Sequence, residues 1–122
     1  MDNRPEIWLG HCSLKTTNLD ASHDFMVQVG LRPVFKNDEI TVLEMRGGTH
    51  LIMIANENAK GGDAEFDFMV EDIDDAYSRF KTFEMDISEM SRGEIHDSFY
   101  VTEPGGNRIK FNSTHVEDHK LV

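Results

Sequence analysis

One order of elements occurs twice along this chain, and that repetition restricts the available folds more than any other feature. "HCSLKTTNL" from residue 11 aligns with "EFDFMVEDI" from residue 65, matching Leu14 with Phe68, Asn18 with Asp72 and Leu19 with Ile73. Further on, "GTHLIM" (48–53) aligns with "GNRIKF" (106–111), matching Gly with Gly, Leu51 with Ile109 and Met53 with Phe111. The second spacing is slightly longer, as a modest insertion would make it. Each half predicts a strand, a helix and three strands. Helices are predicted at 19–29, with Leu19, Ala21, Phe25, Met26 and Val29 on one side, and at 72–82, with Ile73, Ala76, Tyr77 and Phe80. Asn18 and Asp72 are placed to cap them, and Gly30 to stop the first. Strands are predicted at 7–16, 31–37, 39–46, 49–55, 64–71, 84–88, 97–103 and 107–113. Asn37-Asp38 reads as the hairpin turn between the second and third. Pro104-Gly105-Gly106-Asn107 reads as the turn into the last strand.

The composition narrows the classes. With 122 residues there is room for one domain with a real core. The domain expected is 1–122: module one about 7–55, a polar linker at 56–63 ("NENAKGGD"), module two about 64–113, and a tail at 114–122. Net charge is −11, which repels phosphate backbones and argues against nucleic acid as a partner, while favouring cationic ligands only weakly. No apolar run approaches membrane-spanning length, so no membrane partner is expected. Cys12 stands alone, so no internal disulfide forms and a cytoplasmic protein is expected. The seven methionines read as adaptable core. "HVEDH" (115–119) lacks the His-Glu order of the helical metalloprotease motif and reads as polar tail.

Two βαβββ units, a histidine early in the first strand, "VEDI" at 70–73 and "EPGGNRIKF" at 103–111 together resemble the vicinal oxygen chelate superfamily. Glyoxalase I, extradiol dioxygenases and the fosfomycin- and bleomycin-resistance proteins belong to that group. The resemblance implies an α+β (mixed α/β) fold whose two modules form an eight-stranded cup with helices on its outer face. It also implies a homodimer. It implies metal ligands at four equivalent places, which here fall on His11, Ile52, Glu65 and Lys110. His11 and Glu65 offer donors, Ile52 has no lone pair, and Lys110 brings an ammonium where many relatives carry glutamate.

Strand alternation sends the same residues to the cup. If Phe66 and Phe68 pack under the helices, Glu65, Asp67 and Met69 face the cavity. By the same alternation His11, Ser13 and His50 face it, as do Arg108, Lys110 and Asn112. The ligand-binding set expected is His11, Ser13, His50, Glu65, Asp67 and Lys110. No metal is predicted, and no other cofactor. The alternative is a divalent Zn, Fe, Mn or Ni on His11 and Glu65 with His50 or His96. His11 can also be a core histidine, and Lys110 can extend to water along its stem.

The leading expectation is a small-molecule binder with a degenerate metal site. One alternative is a metal-dependent lyase, isomerase or extradiol-type dioxygenase, with Tyr100 or His96 moving protons. Another is a metal-free enzyme with Glu65 as base and Lys110 as oxyanion stabiliser. In the metal-free setting Lys110 is expected to replace the missing cation and pair with Glu65.

Overall fold

A computed structural model describes residues 4–114 and has two four-stranded sheets and two helices. The first half contains β1 (His11–Thr16), α1 (Leu19–Val29), β2 (Arg32–Lys36), β3 (Ile40–Glu44) and β4 (His50–Ala55). The second half contains β5 (Gly62–Val70), α2 (Ile73–Thr82), β6 (Asp86–Ile87), β7 (Ser98–Thr102) and β8 (Asn107–Ser113). The strand orders are β1-β4-β3-β2 and β5-β8-β7-β6, so the two sheets share one topology. In each, the first strand runs parallel to the fourth and the remaining pairs are antiparallel. The expected repeat of βαβββ units is therefore present, and 7–16 and 64–71 contain equivalent strands.

The helices start where their caps stand. Asn18 Oδ1 accepts from Ala21 N at 3.1 Å, and Asp72 Oδ1 accepts from Asp75 N at 2.9 Å, each satisfying a backbone donor that a first turn leaves unpaired. α1 buries Leu19, Ser22, Phe25, Met26 and Val29 at helical spacing, and Gly30 closes it at φ +124°. α2 buries Ile73, Ala76 and Phe80. Both helices pack on the inner sheet faces in one continuous core. In the second half that core is aromatic: Phe99 stacks on Phe111 with centroids 5.4 Å apart, and Phe80 meets both rings edge-on.

Six of the predicted strands are shorter than expected. Residues 7–10 lie outside β1 because β4, its ladder partner, begins only at His50. The expected strand at 84–88 shrinks to β6, two residues long, since Glu84 takes φ +58° as the chain leaves α2. The β2–β3 turn takes in Glu39 as well as Asn37 and Asp38, because Asn37 Oδ1 accepts from both Glu39 N and Ile40 N.

A buried polar joint links the halves. Glu103, at the end of β7, is 2% exposed. Its carboxylate accepts from Ser22 of α1 at 2.5 Å, and from the backbone and side-chain nitrogens of Asn107 at 3.0 and 2.8 Å. Ser22 in turn shares a hydrogen bond with Thr16 at 2.8 Å, and Asn107 Nδ2 donates to the Lys15 carbonyl at 2.9 Å. Gly105 fits this joint because a Cβ there would collide with the Thr16 hydroxyl and the Glu103 carboxylate.

Candidate functional site in the open sheet faces

Each sheet covers the core with one face and leaves the other open. β1 shows the alternation: Leu14 and Thr16 are buried, and His11, Ser13 and Lys15 are exposed. β4 buries Leu51 and Met53 and leaves His50, Ile52 and Ile54 half-exposed. β5 buries Phe68 and exposes Glu65, Asp67 and Met69. β8 buries Ile109 and Phe111 and leaves Arg108 and Lys110 half-exposed. His11 is thus no core histidine.

On the first sheet one polar rung crosses all four strands. His11 lies opposite His50, His50 opposite Glu44, and Glu44 opposite Arg32. The His11 and His50 rings are 5.6 Å apart between centroids, His50 Nε2 is 3.8 Å from Glu44 Oε2, and Arg32 bonds the same carboxylate. Ile52 lies one alternate position inward, beside Ser13.

On the second sheet Glu65, Asp67, Tyr100, Arg108 and Lys110 line a cavity of about 450 Å³, with Leu9 reaching in from the N-terminal segment. Lys110 lies opposite Asp67 on one side and Tyr100 on the other. Glu65 falls in an irregularity of the β5–β8 ladder between Asp63 and Asp67, so no residue of β8 stands in register with it. Arg108 places Cζ 3.5 Å from the Tyr100 ring centroid and Nη1 3.3 Å from Asp63 Oδ1. Ser13 and Glu65 also line a second cavity of about 520 Å³ beside the linker residues Asn56 and Lys60.

The expected residues are brought together only in part. Glu65, Asp67, Tyr100 and Lys110 share one cavity; His11 and His50 form a separate pair on the other sheet. His96 stands apart from both, with Nδ1 2.7 Å from the Ser113 carbonyl oxygen. The expected Lys110–Glu65 ion pair is not formed: among the described residues Lys110 lies within 4.0 Å of no carboxylate. The bulge explains this, since it takes Glu65 out of register with β8. Among the described residues no three His, Cys, Asp or Glu side chains converge where they would share a metal. With Ile52 donorless and Lys110 cationic, the four family positions do not fit a divalent ion. Arg108 over Tyr100 and the Glu103 joint were not singled out from sequence. The acid directly before the Pro-Gly-Gly turn was the available signal for the joint. Asn112 Oδ1 is buried without a donor among the described residues, and nothing nearby accounts for it. The tail is expected at 114–122, and all of it after Thr114 lies outside the described residues.

Two βαβββ sheets of identical strand order, with polar residues of their first and fourth strands on open faces, define a glyoxalase-type architecture. The model of the Glyoxalase/Bleomycin resistance protein/Dioxygenase superfamily matches residues 8–111, and the chain belongs to that superfamily. Solved structures agree on the fold. A lactoylglutathione lyase from Agrobacterium tumefaciens superposes with a TM-score of 0.76 at 21% identity, over 90% of this chain and 96% of that one. TnmS3, an antibiotic-binding protein from Streptomyces sp. CB03234, gives 0.77 at 16% identity over 91% and 99%. A bleomycin resistance determinant encoded on the transposon Tn5 gives 0.72 at 15% identity over 88% and 98%. No curated protein matches by sequence. Among the described residues no helix is long and apolar enough to cross a membrane.

Proposed function

We propose that this protein binds a small polar molecule in the cavity of its second sheet and does so without a metal at the family's four positions. The observation that carries this reading is the content of those positions. Only His11 and Glu65 present donors, while Ile52 is apolar and Lys110 is a cation. A divalent ion held by two donors beside an ammonium is poorly bound. The same substitutions leave Lys110, Glu65 and Asp67 as hydrogen-bonding groups around a concave space of ligand size. Antibiotic binding, named for one structural relative, is an activity of the same kind. The acidic surface adds weak steering toward ligands with a positive group. The working form is a homodimer in the cytoplasm.

Elemental analysis and native mass spectrometry of the purified protein test this directly. The expected result is less than stoichiometric Zn, Fe, Mn or Ni, with a co-purified or added small molecule displaced by substitutions at Glu65 or Lys110. A transition metal at near-full occupancy that is lost in both His11→Ala and Glu65→Ala would overturn the reading in favour of metal-dependent enzymes.

A further inference from the structure

The open face of the second sheet sorts its charges by strand. β5 supplies Asp63, Glu65 and Asp67, and the adjacent β8 supplies Arg108 and Lys110. Opposite charges on neighbouring strands commonly close into cross-strand pairs. Here one pair closes, Arg108 with Asp63 at 3.3 Å. Lys110 faces Asp67 across the ladder, yet neither it nor Glu65 or Asp67 has an ion-pair partner among the described residues. An acidic stripe and a cation therefore stand one strand apart, about 5 Å, with their charges unspent on each other. Beside them the Arg108 guanidinium lies over the Tyr100 ring, its Cζ 3.5 Å from the ring centroid.

We infer that this wall recognises a zwitterion carried on a flat ring. The ligand's ammonium goes to Glu65 and Asp67, its carboxylate goes to Lys110, and its ring lies against the Arg108–Tyr100 pair. A purely cationic ligand would offer no counter-ion to Lys110, and a purely anionic one would offer none to the two acids. A ligand with both signs offers each strand a counter-ion at once. The inference rests on the ligand-binding reading above and names the chemical class for that site.

Four indoles that differ only in charge test it by calorimetry at low ionic strength. Tryptophan carries both charges, tryptamine only the ammonium, indole-3-propionate only the carboxylate, and 3-ethylindole neither. Tryptophan is expected to bind about tenfold or more tightly than each of the others. Lys110→Met should erase its advantage over tryptamine and leave its advantage over indole-3-propionate. Glu65→Gln combined with Asp67→Asn should do the reverse. Circular dichroism would establish that both variants fold. Comparable affinity for tryptophan and a single-charge probe, an advantage that survives both variants, or no binding by any of the four overturns the zwitterion. A co-purified ligand lacking one of the two charges also overturns it, yet leaves the metal-free binding reading standing. A stoichiometric metal on His11 and Glu65 instead removes that reading.

Discussion

Glu103 is the only charged side chain buried among the described residues, and no cation accompanies it. A carboxylate is tolerated there because Ser22 and two nitrogens of Asn107 donate to it. Glu103→Ala would strand those donors in the core, so a loss of about 3 kcal/mol is expected in urea unfolding. Glu103→Gln keeps one acceptor oxygen, and its loss should be smaller, about 1 kcal/mol. Equal stability of Glu103→Ala and the parent protein would show that the joint does not hold the halves together. Lys110 is the opposite case. It is half-exposed and makes no ion pair among the described residues. Lys110→Met should therefore shift stability by no more than about 0.5 kcal/mol. A loss of several kcal/mol would mean that the lysine pairs with a carboxylate after all.

At the scale of elements, Arg92 ties the first turn of α2 to the approach to β7. It reaches Asp74 at 2.6 Å and Asp97 at 3.0 Å. The hydrogen bond from Arg92 holds the Asp74 carboxyl below its ordinary range. A carboxyl with a lowered native pKa stabilises the fold above its unfolded value, about 3.9, and that contribution is lost as pH falls through the native value. Arg92→Met should therefore be less stable than the parent at neutral pH, with the gap closing as pH falls below the ordinary carboxylate range and narrowing in salt. A gap independent of pH would exclude the ion pairs as its cause. Elements were legible in the sequence where local chemistry decides them. The α1 and α2 starts follow from Asn18 and Asp72, whose side chains act within three residues. Strand ends were less legible, because residues 7–10 join a ladder only if a partner strand extends that far. The site divides in the same way. Alternation sorted Glu65, Asp67, Arg108 and Lys110 onto an open face. It did not reveal the bulge that takes Glu65 out of register, nor Arg108 turning over Tyr100, because both depend on ladder geometry and rotamers rather than residue order.

Viewed as a whole molecule, the described chain leaves a good deal of apolar surface uncovered. Ile7, Trp8 and Leu9 are 87%, 71% and 59% exposed, in the segment just before β1. The outer strand β2 is exposed along its whole length, including Val34 and Phe35, and Met69 is exposed on the open face of β5. Single exposed apolar residues are ordinary, but three in succession beside an open sheet ask for a partner. An edge strand with free backbone groups makes the same demand. A second copy of the chain related by two-fold symmetry is the commonest solution. Trp8 is the only tryptophan in the sequence, so it reports on this contact without labelling. Light scattering is expected to give twice the chain mass at micromolar concentration, with blue-shifted Trp8 emission that moves to the red on dilution. Trp8→Asp should weaken the dimer by about tenfold or more, since burying an indole contributes on the order of 2–3 kcal/mol and burying a carboxylate opposes association. A parent protein that scatters as a monomer at micromolar concentration, with solvent-like Trp8 emission, would end the two-fold assembly. It would leave Leu9, already lining the second-sheet cavity, as a wall built within one chain.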